Sequence, residues 1–147
     1  MTRISLLFVV LAACSHKSAT IAPDEAKSLL IDRNWIDVMP QTRDDKLHVY
    51  RFVPSMGGGV FQDRTIFKGT FELFSFKATG DTITFDLHQT ENQVKSHFRI
   101  EPVDGPKPFD LKLVIDDDPR GPKTYFGVRA ETDRDGHVLE AELAARH

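Results

Sequence analysis

The chain has 147 residues, of which 40% are hydrophobic and one is cysteine, and its formal net charge at pH 7 is −3. This length suffices for one domain with one hydrophobic core, and a single cysteine excludes an intrachain disulfide. Because the chain is slightly acidic with interspersed charges, it lacks the basic face that phosphate contacts require, and we expect no nucleic-acid partner.

The N-terminal segment has the features of an export signal. Arg3 precedes an apolar run over residues 4–11, which is shorter than the roughly 20 apolar residues that span a bilayer. Residues 11–14, Leu-Ala-Ala-Cys, resemble the lipobox of bacterial lipoproteins. The resemblance implies cleavage after residue 13 and diacylation of Cys14. With Ser15 after the cysteine, it also implies a position on the outer membrane facing the periplasm. A general secretory signal cut near a cysteine is the alternative.

The remaining chain divides into a tether and one domain. We predict a signal peptide over 1–13, a lipidated cysteine and tether over 14–22, and a single domain over 23–147. The domain opens with a predicted short helix over 23–30. Its proline suits the first turn, acidic side chains follow, and the apolar residues share one face.

Beyond this helix the hydrophobic period becomes two, which is typical of half-buried strands. Ile83, Phe85 and Leu87, for example, alternate with polar residues. Regular alternation predicts strands at 82–88, 94–101 and 109–115. Less regular but β-rich stretches occur at 34–38, 47–53, 60–67, 70–78 and 123–131, and turn signals separate these stretches into about eight strands. A further hairpin signal at 133–136 precedes residues 137–143, which are either a ninth strand or a terminal helix.

A meander of this length with one polar face predicts a mainly β fold. We expect an antiparallel up-and-down barrel of about eight strands, because closure removes exposed strand edges. Such a barrel has a packed interior or room for one small ligand. A two-sheet β-sandwich is the alternative.

A short helix followed by a tryptophan at the start of the first strand resembles the lipocalin and wider calycin group. Trp35 matches the tryptophan of the family's opening motif, whereas Arg33 stands where the family has glycine. The resemblance implies that Trp35 packs under an arginine from the end of the barrel, for which Arg129 is the candidate. It also implies that a small apolar molecule binds inside the barrel.

One stretch has more apolar residues than a single core needs. Phe71, Leu73, Phe74 and Phe76 make both faces of the predicted strand apolar. Either the terminal helix or residues 137–143 cover the outer face, or that face belongs to a ligand cavity or a protein contact.

With lipocalin-like connectivity, the loops 39–46, 89–93 and 116–122 share the open end of the barrel. The candidate residues for the mouth are Arg43, Asp44, Asp116, Asp117, Asp118 and Arg120. An acidic mouth disfavours fatty-acid carboxylates and favours neutral or cationic guests.

The sequence contains no motif that predicts catalysis or a cofactor. There is no Gly-x-Ser-x-Gly and no cysteine beyond Cys14, so we expect no enzyme activity. The histidines are scattered, and the adjacent side chains of Asp116 to Asp118 diverge on extended backbone, so we expect no metal site.

The leading hypothesis is a lipid-anchored envelope protein that binds a small apolar or amphipathic molecule. The rival is an inhibitor or interaction module that contacts an envelope protein through a protruding loop around Arg120. A cavity of a few hundred Å³ favours the first hypothesis, and a packed core with an exposed apolar patch favours the second.

Overall fold

The computed structural model describes residues 19–131 and 137–146, which form two α-helices and eight strands. The predicted signal peptide, Cys14 and the predicted hairpin at 133–136 lie outside the described residues. In chain order the elements are α1 Pro23–Leu30, β1 Asn34–Ile36, β2 Leu47–Val53, β3 Gly58–Arg64, β4 Gly69–Thr79, β5 Thr82–Leu87, β6 Asn92–Pro102, β7 Leu111–Ile115, β8 Thr124–Gly127 and α2 His137–Ala144. A 3-10 turn, Pro54–Met56, joins β2 to β3.

The strands form a closed barrel in which every strand is antiparallel to its sequence neighbours. β1 closes the barrel against β8 through the pair Ile36 and Phe126. The predicted up-and-down barrel is confirmed, and the β-sandwich alternative is wrong. This barrel is compatible with a calycin-like fold.

The two longest strands, β4 and β6, each change partner half-way along. Residues 69–74 of β4 pair with β3, and residues 75–79 pair with β5. Likewise, the first half of β6 pairs with β5 and its second half with β7. The second half of β4 therefore extends beyond the end of β3. The inward-facing side chains of this half of β4 have no neighbour from β3 beside them.

The two ends of the barrel differ in what covers them. The β1–β2, β3–β4, β5–β6 and β7–β8 connections lie at one end, which we call the loop end, as the antiparallel order requires. Helix α1 lies at the other end, which we call the helix end. Its Ala26, Leu29 and Leu30 are buried in the barrel core.

Alternation along the strands points aromatic and aliphatic side chains into the barrel. In β2, for example, Tyr50 and Phe52 are fully buried in the inner core, whereas Val49 belongs to a second cluster on the outer face. At about 25 cal/mol per Å² of apolar surface removed from water, such side chains supply most of the stabilisation of the fold.

Residues 137–144 form a helix rather than a ninth strand, and this helix packs outside the barrel. Leu139 and Leu143, four residues apart on one face, are buried against Ile36, Leu47 and Val49 of β1 and β2. Helix α2 therefore does not cover the outer face of β4. The expectation that the terminal segment buries Phe71 and Leu73 is wrong, since these side chains are 69% and 52% exposed.

Candidate functional site

The centre of the barrel is filled by aromatic rings, of which Phe61, Phe74 and Tyr125 meet Tyr50 edge to face and Phe52 stacks on it. The ring of Tyr50 lies 4.8 Å from Phe61, 5.1 Å from Tyr125, 5.3 Å from Phe52 and 5.7 Å from Phe74, measured between centroids. Such pairs each contribute about 0.5–1.5 kcal/mol beyond the burial of their area. The interior is thus an aromatic core, and space for a guest must be sought at its ends.

At the loop end, Asp118 folds inward and closes the barrel. Its carboxylate accepts hydrogen bonds from the Tyr50 hydroxyl at 3.0 Å and the Tyr125 hydroxyl at 2.5 Å. It also accepts from the backbone N–H groups of Arg120 and Lys123, each at 2.9 Å. Four donors therefore compensate the burial of a carboxylate that is only 8% exposed.

This arrangement perturbs both tyrosines in the same direction. Burial raises the pKa of the Tyr50 hydroxyl well above its usual range, and the adjacent Asp118 carboxylate adds to the effect. The same two causes, in the same order, raise the pKa of Tyr125. Both hydroxyls are therefore neutral donors at any physiological pH.

Arg120 lies across the same end of the barrel. Its guanidinium pairs with the Glu72 carboxylate on the inner face of β4 and lies 5.2 Å from the ring centre of Phe61. The side chain is 13% exposed, so it does not protrude into solvent as the loop hypothesis required. Its Nε and Nη2 atoms are buried without a hydrogen-bond partner.

The other predicted mouth residues do not converge on this cluster. The Asp116 carboxylate lies 3.5 Å from Arg99, and Asp117 is exposed. The Arg43 guanidinium lies 5.1 Å from the ring centre of Phe67, on the outside of the barrel. Asp44 is exposed. Of the predicted mouth residues, Asp118 and Arg120 alone share contacts within the described part of the chain.

Trp35 packs against the last strand at the helix end. Its indole N–H donates to the Leu30 carbonyl at 3.0 Å and so ties the end of α1 to β1. The ring lies against Gly127, where an added Cβ would be 2.9 Å from ring atoms. The Arg129 guanidinium, predicted to cover the indole, donates to the Glu25 carboxylate of α1 at 2.9 Å.

Arg33 is the arginine that joins the start of the barrel to the residues after β8. Its guanidinium donates to the carbonyl of Val128 at 2.7 Å and to that of Arg129 at 3.1 Å. Burial lowers the pKa of Arg33. Nearby, burial raises the pKa of Glu131, which accepts from the backbone and side-chain amides of Asn34.

An open apolar cleft of about 500 Å³ lies at the helix end, between α1 and the second half of β4. We call it the helix-end cleft. It exists because β4 extends past β3, so that α1 and the β2–β3 turn, rather than a strand, face Phe76 and Ala78. The cleft is lined by Lys27, Ser28, Ile31, Pro54, Gly57, Gly58, Phe76 and Ala78.

Phe76 connects this cleft to the core. Its ring lies 5.1 Å from Phe52 and 6.2 Å from Phe74, so the apolar wall of the cleft continues directly into the packed aromatic interior. Among the described residues, Lys27 is the one charged side chain in the lining. The site can therefore accept an apolar group against Phe76 and Ala78 and a polar group beside Lys27 and Ser28.

Comparison of the chain with protein-family models, with curated proteins and with solved structures gives no match. Among residues 19–131 and 137–146, no three metal-binding side chains are placed to hold an ion. Neither described helix has the length and apolar character needed to cross a membrane.

The histidines that have described partners each contact a different group. His48 lies 2.6 Å from the Asp37 carboxylate, and His88 lies 3.1 Å from the Ser75 hydroxyl. These contacts hold imidazoles in place on the barrel wall and do not converge on a common centre.

Sequence reasoning missed the helix-end cleft. Phe76 and Ala78 fall within the predicted strand 70–78, but the space beside them depends on the stagger between β3 and β4. That stagger is a long-range property, and no local signal specifies it.

Proposed function

We propose that this chain is a lipid-anchored protein of the bacterial envelope that binds a small apolar or amphipathic molecule in the helix-end cleft. The observation that carries the proposal is the open cleft of about 500 Å³ whose apolar wall continues into the barrel core. Small-molecule sites usually occupy about 300–1,000 Å³ and combine apolar walls with few polar groups.

The walls of the cleft favour an elongated guest with one polar end. Phe76 and Ala78 come from a strand that is fixed by pairing with β5, so this wall is rigid. Lys27 and Ser28 lie on the exposed side of α1 at the rim. A neutral or anionic polar group fits beside the Lys27 ammonium, while the acidic residues predicted for the mouth belong to the loop end.

The rival function, contact with a protein through the loop at 116–122, has less support. Asp118 points into the barrel and Arg120, the residue expected at the surface of a protruding loop, is bound to Glu72.

The binding proposal is tested with the neutral fluorescent probe N-phenyl-1-naphthylamine and a chain that begins at Ser15. All strands and both core clusters lie within the described residues, so this chain retains the whole barrel. We expect saturable binding in the wild type. Ala78→Trp fills the cleft and weakens binding at least about tenfold.

The matched control is Lys77→Trp, which places the same side chain on the opposite, exposed face of the same strand. It is expected to leave the affinity for the probe unchanged. Equal weakening by both variants, or no saturable binding by the wild type, contradicts the cleft as the site.

The lipid anchor is supported by the Leu-Ala-Ala-Cys motif at residues 11–14. Two or three acyl chains give stable membrane attachment, whereas one gives marginal binding. Growth of an expressing bacterium with radiolabelled palmitate should label the wild-type chain and not Cys14→Ala. Equal labelling of both, or of neither, refutes lipidation at this residue.

A further inference from the structure

The second half of β4 has a free backbone edge in the helix-end cleft. Residues 75–79 pair with β5 along one edge, whereas the pairing of β4 with β3 along the other edge stops at Phe74 and Gly59. A strand inside a closed barrel normally has a partner along both of its edges. On the side of β3, residues 75–79 therefore face the cleft instead of a strand.

The turn between β4 and β5 determines which backbone groups point to the free edge. Thr79 pairs with Thr82 across a two-residue turn at 80–81, in which Gly80 has a φ of +59°. In a hairpin of this kind the two residues beside the turn exchange both of their hydrogen bonds, and every second residue further along does the same. Counting from Thr79, the odd-numbered residues of this half of β4 therefore bond to β5.

The even-numbered residues Phe76 and Ala78 point their N–H and C=O groups to the other edge, at the cleft. The β3–β4 hairpin leads to the same assignment. The Thr65 N–H donates to the Lys68 carbonyl at 2.8 Å, and alternation from that pair gives the even-numbered residues up to Phe74 to the β3 ladder. Within the described part of the chain, the four groups of Phe76 and Ala78 have no strand partner, and no loop or helix backbone group bonds to them.

Four unpaired backbone groups restrict the chemistry of the guest. While the cleft is open, water can satisfy these groups. A purely apolar guest that covered all four would displace this water, and each buried group left without a partner costs about tenfold or more in affinity. Successive residues that point to one edge of a strand lie about 7 Å apart. A guest that satisfies all four groups must therefore carry donors and acceptors with the same repeat.

We propose that the helix-end cleft binds a short extended peptide, which adds a strand to the free edge of β4. An extended peptide presents N–H and C=O groups at this repeat, so it hydrogen-bonds to both Phe76 and Ala78. Its inward-facing apolar side chains lie beside the side chains of these two residues, and a C-terminal carboxylate fits beside the Lys27 ammonium. The assignment names the guest of the same cleft and so rests on the proposed function.

The free edge is tested by amide hydrogen exchange, measured by NMR on the chain that begins at Ser15. Without a guest, the N–H groups of Phe76 and Ala78 should exchange at least about a hundredfold faster than the N–H of Lys77 between them, which belongs to the β5 ladder. Equal protection of all three would show that the edge is not free and would overturn the proposal.

Peptide binding is tested with the probe acetyl-Val-Leu-Val, which has a free C-terminal carboxylate. We expect saturable binding that slows exchange at Phe76 and Ala78 at least about tenfold. Ala78→Trp should weaken this binding at least about tenfold, and the control Lys77→Trp should leave it unchanged.

Ester analogues of the probe show whether it binds as a strand. Replacing the amide N–H groups of the peptide by ester oxygens, one at a time, should weaken binding about three- to tenfold at alternate positions and have no effect at the positions between. Equal weakening at every position, or no weakening at any position, contradicts strand addition.

The probe N-phenyl-1-naphthylamine separates this proposal from the proposed function, because it carries no peptide group. Binding of this probe but not of the peptide overturns the peptide assignment and leaves the cleft as a site for another guest. Failure of both probes contradicts the cleft as a binding site. Protection of Phe76 and Ala78 that rises with protein concentration in the absence of peptide would overturn the assignment by giving the edge to a second copy of the chain.

Discussion

Replacement of Asp118 by Ala tests whether the loop at 116–122 closes the barrel. The carboxylate accepts four hydrogen bonds, two of them from the buried hydroxyls of Tyr50 and Tyr125. Asp118→Ala leaves both hydroxyls buried without an acceptor, at about 1–3 kcal/mol each. The backbone N–H groups of Arg120 and Lys123 donate in part-buried hydrogen bonds, so water replaces their lost acceptor at lower cost than it does for the buried hydroxyls.

The two hydroxyls alone therefore predict a loss of about 2–6 kcal/mol of unfolding free energy, which is a large part of the roughly 5–15 kcal/mol of a typical domain. Urea unfolding, monitored by the fluorescence of Trp35, measures it. Asp116→Ala is the matched control from the same run of aspartates. Asp116 is exposed and lies 3.5 Å from Arg99, so its replacement should change the free energy by less than about 1 kcal/mol.

If Asp118→Ala proves too unstable to purify, Tyr50→Phe combined with Tyr125→Phe removes the donors and keeps the carboxylate. This pair should also destabilise the fold, because Asp118 then loses two of its four donors. A loss for Asp118→Ala no larger than that for Asp116→Ala would refute the inference that Asp118 closes the barrel.

Three further outcomes follow from the same contacts. The fold raises the pKa of both Tyr50 and Tyr125, so the two hydroxyls lose their protons at lower pH in the unfolded chain than in the folded one. The free energy of unfolding therefore falls as pH rises above about 10, by about 1.4 kcal/mol per pH unit for each tyrosine. In urea titrations at increasing pH, Tyr125→Phe should reduce this slope by the contribution of one tyrosine. Gly127→Ala forces a methyl group against the Trp35 ring and should cost about 1–3 kcal/mol in thermal or urea unfolding. Leu143→Ala should cost about 2–5 kcal/mol and expose the outer face of β1 and β2, detected as increased binding of an apolar dye.

Local patterns predicted much of the fold. The helix at 23–30 and the strand at 47–53 have the predicted bounds. Pro23 and the acidic residues after it mark the start of the helix, and Pro54 marks the end of the β-rich stretch. The choice between strand and helix at 137–143 stayed open because the apolar residues of this short segment fit either period. The segment is a helix in the structure, because this conformation buries both Leu139 and Leu143 against the outside of the barrel.

The site depended on long-range contacts that local patterns do not contain. Three aspartates before a proline are typical of a solvated loop. In the structure, the hydroxyls of Tyr50 and Tyr125 donate hydrogen bonds to the Asp118 carboxylate and so hold it inside the barrel. Arg33 stood out only as a departure from the lipocalin motif. Its reach to the Val128 carbonyl depends on closure of the barrel, 95 residues further along the chain.

The most direct test of the account is native mass spectrometry of the chain that begins at Ser15, purified from an export-competent bacterial host. We expect an additional mass that survives gentle ionisation, disappears on denaturation and is missing from Ala78→Trp but present in Lys77→Trp. A bare wild-type chain that also fails to bind the apolar probe would contradict the central claim that the helix-end cleft binds a small molecule.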